Sequence, residues 1–346
     1  MPIPRKQYLW FPYLSKINIK KENVLFEYKG GELNIKWKYI HSIMIYGESI
    51  DFPQEFLEKC AFYKIPIVIH RRNMPRAVFI ASTLPPDQDN IITKQILFRE
   101  NIKKRAYISK NLIKAKFESM KWLIPIRKDI FYKINNQEKI IITESSHAKY
   151  YWKLYYQKLK IFGNRRSKNN IATKCLDATS KFLSSIILRW ILYHNLSPYH
   201  GFLHKPTDYP ALVYDLLEPY RGYFDKIVFD TIKQAKEQKK EKENSIMAMT
   251  IDNIKRFLDV KVYNNTTRQN VTFHELLHGI VLALRSYLLG ESKRFIVPQP
   301  SKPMGGRPIK AGYKLYGHQA GKTDFWPETK QISENFEKIM KTENKN

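Results

Sequence analysis

Between residues 8 and 82 apolar and polar side chains change places in short runs, the texture of strands. Leu33, Ile35 and Trp37 alternate with Asn34 and Lys36, so one face of that run is buried and the other wet. Residues 24–28 and 33–37 flank Gly30-Gly31, which marks a hairpin, because glycine enters turn conformations that other residues resist. Residues 40–46 read as a further strand, 54–63 as a short helix, and 65–70 and 76–81 as closing strands. Thr83-Leu84-Pro85-Pro86-Asp87 then interrupts the pattern, since paired prolines continue neither a helix nor a sheet. From Ile91 to about Leu289 the apolar residues recur at helical spacing. The greasiest stretch, 182–193, is broken by Arg189 and falls short of the ~20 residues of a membrane span, so it reads as a core helix. The expected fold class is α+β. A small N-terminal β-rich, sandwich-like domain (1–84) and a linker (85–90) precede a larger all-helical domain (91–297). Residues 298–346, with Pro298-Gln299-Pro300, Gly305-Gly306 and polar sequence beyond, are expected to form a partly disordered tail.

Composition supports a folded chain: 43% of the 346 residues are hydrophobic and 14% aromatic. Charge changes the picture more. Sixty Lys and Arg against 32 Asp and Glu leave a net +28, a self-repulsion that makes sense opposite an anionic partner, nucleic acid before an acidic membrane surface. Residues 91–168 hold 20 of the basic and only 5 of the acidic side chains. Tyr107, Phe117, Trp122, Tyr150, Tyr151 and Trp152 are interleaved with them, a mixture suited to a phosphate backbone and unstacked bases. The plainer alternative is a solvated basic face over an aromatic core. Cys60 and Cys175 form no CxxC pair, which argues against a disulfide framework or thiolate zinc site and for the reducing cytoplasm. Residues 1–6 lack the apolar segment of a secretory signal.

Candidate chemistry lies in three places. Glu144, Ala148, Tyr151, Trp152 and Tyr155 share one helical face, and a carboxylate on an apolar stripe is costly unless paired or metal-bound. His204 ends Gly201-Phe202-Leu203-His204, on a loop after Asn195-Leu196-Ser197-Pro198. Pro210 is placed to start a helix that runs to Glu218, where Pro219 kinks or breaks it. Each residue alone has an ordinary reading, as a surface glutamate or a structural histidine. Two carboxylates and an imidazole together can hold Mg²⁺ or Mn²⁺ with open positions for phosphate oxygens, but spacing alone does not bring them together. A competing pattern is His274-Glu275-Leu276-Leu277-His278, the H-E-x-x-H of zinc metallopeptidases. It is weakened by a missing third ligand, by Thr272-Phe273-His274-Glu275, which forms a capping box, and by the charge, which a peptidase does not need.

Three segments carry a resemblance. The run from Glu144 through Ala148 to Tyr151-Trp152 resembles the E-x-x-x-A-x-x-Y-F pattern of the CRISPR adaptation integrase family, the universal spacer-acquisition nuclease of CRISPR systems. Leu196-Ser197-Pro198-Tyr199-His200-Gly201-Phe202-Leu203-His204 is similar to its G-L-x-P-x-x-G-F-L-H motif. The run from Leu212 through Asp215 and Glu218 to Arg221 is similar to its L-x-x-D-L-x-E-x-x-R motif. The resemblance extends over residues 1 to about 297. It implies a divalent-metal-dependent DNA endonuclease and integrase that joins the 3′-hydroxyl ends of short foreign fragments into a CRISPR repeat by transesterification. It implies Glu144, His204 and Glu218 as catalytic metal ligands for Mg²⁺ or Mn²⁺. The implied partners are double-stranded DNA (spacer fragment and CRISPR repeat), a second copy in a homodimer or dimer of dimers held through the β-rich domain, and a small CRISPR-adaptation protein, with no membrane. Lys205 and Arg221, beside the ligands, and Arg165 and Arg166 are candidate DNA contacts, with Asp215 or Asp225 as alternative partners for Arg221. A related transposon-end integrase shares the motifs, and a non-catalytic nucleic-acid binder would share the charge. Two departures stand out: Ser197 replaces the usual acidic residue before the proline, and Ser180 stands where the family often has Asn.

Overall fold

A computed structural model describes residues 6–47, 50–71, 77–81, 88–126, 136–165, 167, 170–205, 208–238, 243–303 and 311–315. The described residues fall into two compact units, one within residues 1–83 and one within 84–321.

In the first unit, β1 (Gln7–Pro12), β5 (Ile40–Tyr46), β6 (Ile67–His70) and β7 (Val78–Ile80) make a four-stranded sheet in the order β1-β5-β6-β7. The β1–β5 and β5–β6 pairs are parallel and β6–β7 antiparallel. Strand β5 sits between parallel neighbours and is buried along its whole length, which explains its unbroken apolar texture. A second sheet, β2 (Leu14–Ile19), β3 (Asn23–Tyr28) and β4 (Gly31–Lys36), is an antiparallel meander. The expected hairpin is there: Tyr28 pairs with Gly31, Val24 with Ile35 and Phe26 with Leu33, and Gly31 takes φ +130°. Phe11, Val24, Phe26, Trp37 and Phe56 form the core, Phe56 being supplied by α1 (Gln54–Phe62). The β-rich character of this first unit and the mostly helical character of the second match the sequence expectation.

The second unit contains α2 (Ile91–Glu100), α3 (Ile102–Met120), α4 (Gln137–Leu159), α5 (Ile171–Tyr193), α6 (Ala211–Leu217), α7 (Arg221–Glu237), α8 (Glu243–Leu258) and α9 (Phe273–Leu289). Asn101, Asn136 and Asn170 cap α3, α4 and α5 by accepting a bond from a backbone N–H three residues on. Helix α5 is buried nearly all round, as a central helix must be, and α7 and α8 pack near it. A short hairpin, β8 (Lys261–Asn264) with β9 (Gln269–Thr272), precedes α9 and corrects the all-helical expectation for this region. Its strands are four residues long and mostly polar, too little pattern to stand out in sequence.

Residues 298–303 and 311–315, read from sequence as tail, pack on this unit. Tyr220 Oη donates to the Pro298 carbonyl (2.6 Å), Gln299 Nε2 to the Ala115 carbonyl (2.7 Å), and Leu315 is buried. Of the expected linker at 85–90, residues 85–87 lie outside the described residues, as does the chain after 315, while Gln88–Asn90 form a short 3₁₀ turn that leads into α2.

Candidate active site

Helix α3 carries Lys116 on its inward face, one turn after Leu112 and one before Met120. Its ammonium lies between two carboxylates, 2.5 Å from Glu144 Oε1 on α4 and 2.5 Å from Glu218 Oε2 at the end of α6. Both oxygens touch one nitrogen, so they are at most 5.0 Å apart. The helical face predicted for α4 is the inward one: Tyr151 and Tyr155 are buried, and Glu144 is half-buried at the same side. Glu218 opens a single 3₁₀ turn, Glu218–Tyr220, forced by Pro219. The chain then enters α7 with Arg221, whose Nη1 donates to Glu218 Oε1 at 3.0 Å and whose Nε lies 4.0 Å from Asp225 Oδ2. Arg221 thus pairs with Glu218 and Asp225, and not with Asp215. Burial alone would raise the Glu218 pKa, but Lys116 and Arg221 hold it down at about 2. Burial pulls the Lys116 pKa down, and the two carboxylates more than offset that, so it lies above its ordinary value. Asp225, deeper in, is pushed up to about 6 by burial in spite of Arg221.

His204 is set by a different device. Asp215, one turn before Glu218 on α6, is fully buried. Its Oδ2 accepts from the backbone N–H of Phe202 (2.5 Å) and Leu203 (2.8 Å), and its Oδ1 from the N–H of His204 (3.1 Å). The same Oδ1 accepts from His204 Nδ1 at 2.6 Å. A carboxylate only accepts here, so Nδ1 carries the proton and Nε2 is the nitrogen left for a ligand. Burial lowers the His204 pKa, but the bond to Asp215 and the charges of Asp215 and Glu218 outweigh it and raise it. Gly201 is required at this spot, because a Cβ there would meet Asp215 Oδ2 at 2.7 Å and the His204 carbonyl at 3.0 Å. The outer side of the loop is held by the basic helices. Arg99 donates to the Gly201 and Lys205 carbonyls, Arg105 to the Phe202 carbonyl, and the buried Gln95 to those of Ser197 and His200. Several charges in the basic stretch therefore act inside the fold. Of the aromatics interleaved with them, Phe117 and Tyr151 are core residues and Tyr150 is exposed.

The arrangement brings Glu144 and Glu218 to one cation and puts His204 within electrostatic reach of Glu218. Among the described residues no three His, Cys, Asp or Glu side chains stand close enough together to hold a metal ion. The physical reason is visible: an ammonium occupies the gap between the carboxylates, and the imidazole is drawn to Asp215. The donor set nevertheless fits a hard divalent ion, with two carboxylates already sharing a cation, an imidazole whose far nitrogen is anchored by a carboxylate, and Glu218 Oε2 buried with only Lys116 against it.

Of the candidate DNA contacts, Lys205 is exposed next to His204, and Arg165 pairs with Asp177 (2.5 Å). The guanidinium carbons of Arg165 and Arg221 both lie 5.6 Å from the Trp152 ring centroid, so one indole supports two cations. Arg166 lies outside the described residues. Sequence reasoning missed Lys116 and the role of Asp215. The available signal for Lys116 was a lysine at a stripe position between Leu112 and Met120.

The His274–His278 motif turns out to be structural. Glu275 accepts from the Thr272 backbone N–H (2.7 Å) while its own N–H reaches Thr272 Oγ1 (3.2 Å), the expected capping box. His278 Nε2 bonds His194 Nε2 at 2.6 Å and stacks on Trp190, ring centroids 3.8 Å apart. Burial lowers the His194 pKa to about 3 and takes His278 well below its ordinary value. Neither the glutamate nor this histidine is left for zinc.

Comparison with known proteins gives a consistent picture. The model of the family described as CRISPR associated protein Cas1 matches residues 11–260. No curated protein matches the chain. Among solved structures, a casposase bound to integration product is 17% identical with TM-score 0.69, over 86% of this chain and 94% of that one. A Cas1 protein from Thermotoga maritima is 17% identical with TM-score 0.68, over 84% of this chain and 100% of that one. TtCas1 in a complex with DNA is 11% identical with TM-score 0.57, over 80% and 91%. At such identities the likeness is one of fold. With 250 contiguous residues matched by the family model, and with the residues of all three motifs gathered around α3, α4 and α6, the chain belongs to the CRISPR associated protein Cas1 family.

Proposed function

We propose that this protein is a divalent-metal-dependent DNA endonuclease and integrase that inserts short foreign DNA into a CRISPR array. The observation that carries the reading is the shared cation between Glu144 and Glu218, next to a histidine loop organised by Asp215. Glu144, Glu218 and His204 Nε2 would hold Mg²⁺ or Mn²⁺. The ion would supply Lewis-acid stabilisation of charge on the phosphoryl oxygens. The protein's own contribution is positional. Asp215 fixes the His204 ring through Nδ1, and Arg221 orients Glu218 through Oε1. Exposed Lys205, and Arg165 on leaving Asp177, would meet phosphates. In the joining step the 3′-hydroxyl oxygen of the fragment attacks a repeat phosphorus, a new P–O bond forms, and the old P–O3′ bond breaks. The proton lost by the attacking hydroxyl is matched by one gained by the departing 3′-oxygen. One phosphodiester replaces another, so positioning matters more than driving force.

The partners belong to the same reading: double-stranded DNA, a second copy through the β-rich unit, and a small adaptation protein. The DNA and the small protein are supported by related folds, since one similar structure is a Cas1 protein with DNA and another a Cas6-RT-Cas1–Cas2 complex. No helix of the described residues is long and apolar enough to cross a membrane. A transposon-end integrase is the second reading, favoured by the equal likeness to a casposase. Integration assays with CRISPR-repeat and terminal-inverted-repeat targets separate the two. The main test is His204→Ala. Strand joining should be lost while DNA affinity stays within about threefold, because the imidazole is a ligand and not a phosphate contact. Normal joining by this variant would remove the assignment.

A further inference from the structure

Lys116 stands where the proposed function puts a metal ion. It is a buried ammonium, its side chain only 8% exposed, and it is 2.5 Å from carboxylates on two different elements. Two carboxylates this close, turned toward one point inside a protein, repel each other unless a cation sits between them. The third expected ligand, His204, is held through Nδ1 by Asp215 and takes no part in neutralising the pair. The site is thus assembled around a monovalent cation that the chain itself supplies.

We infer that Lys116 is a resident counter-cation of the metal site: its ammonium holds Glu144 and Glu218 together in the metal-free protein and is displaced from them when a divalent ion binds. This rests on the proposed assignment of Glu144 and Glu218 as ligands. An ammonium and a divalent ion cannot share the same gap, because like charges a few ångströms apart in a buried site repel by several times the thermal energy. Binding is therefore an exchange, one cation for another, and the lysine both stabilises the empty site and weakens apparent metal affinity. The long, flexible lysine stem allows the ammonium to leave the gap between the carboxylates without shifting α3, which a fixed arginine fork would not.

Two measurements test this. The first compares wild type with Lys116→Met, a near-isosteric change without charge, by thermal unfolding in EDTA and in Mn²⁺ and by calorimetric Mn²⁺ titration. Lys116→Met should melt lower than wild type in EDTA, regain most of the difference in Mn²⁺, and bind Mn²⁺ about tenfold more tightly. An equal loss of stability with and without Mn²⁺, together with unchanged or weaker Mn²⁺ binding, would overturn the inference. The second uses wild type alone, so it does not depend on the variant folding. Reductive methylation followed by mass spectrometry should show Lys116 protected in EDTA and labelled several-fold faster with Mn²⁺. Unchanged protection would again refute the exchange. Glu218→Gln is the control that separates the two levels. If wild type and Glu218→Gln bind Mn²⁺ alike, or neither binds it, the ligand assignment itself fails. If only wild type binds it and Lys116 stays protected, the assignment survives and the counter-cation role falls.

Discussion

Asp215 makes four of the contacts that define the site and takes no part in the chemistry itself. It is a positioning residue, receiving three backbone N–H groups and one imidazole N–H. Asp215→Asn keeps the shape and replaces one acceptor oxygen with a donor. Whichever way the amide turns, two N–H groups then face another N–H. The expected cost is about 1–3 kcal/mol of stability, with strand joining reduced at least about tenfold through the wrong His204 tautomer, measured by urea unfolding and by joining kinetics. The motif made Asp215 visible in sequence, but its role was not legible, because its partners lie on a loop that folds back only in three dimensions. Lys116 was less legible still. It belongs to no motif, and its partners come 28 and 102 residues later.

Elements were read well where a local signal existed. The β3–β4 hairpin, strand β5, helix α1, the start of α6 at Pro210 and the capped start of α9 all follow from short-range chemistry. The parallel pairing of β1 with β5 and the β8–β9 hairpin did not, because pairing partners are chosen by burial and not by local pattern. One glycine shows how an element is seated. At Gly222, in the first turn of α7, a Cβ would run into the Ser119 carbonyl group and lie 2.7 Å from the Met120 nitrogen, all of it backbone at the end of α3. Gly222→Ala should therefore destabilise by about 2 kcal/mol or more, since neither helix can yield by a side-chain rotation. Chemical denaturation of the variant checks this, and joining activity should fall with it as α7 carries Arg221 away from Glu218.

For the whole molecule, the pH dependence of folding follows from the buried His194–His278 pair. Both are held below the ordinary histidine value, His194 at about 3. Unfolded histidine titrates near 6.5, so below that pH the unfolded chain binds protons that the folded pair refuses, and stability falls as pH drops from 6.5 toward 3. For His194 this is worth about 2 kcal/mol between pH 7 and 5, and His278 acts in the same direction. Asp225, raised to about 6, works in the opposite direction below pH 6 and reduces the total. Urea unfolding at pH 7 and pH 5 should show this loss in wild type and a clearly smaller one in His278→Leu. The sequence by itself determined the β-then-helical order, the cationic character and the three motifs, because periodicity, charge and short spacings are local properties. Tertiary structure alone decided which histidines face each other across two helices, which arginines serve the loop and which cation stands between Glu144 and Glu218. Those depend on packing between segments far apart in the chain, where burial sets both the partner and the cost of lacking one.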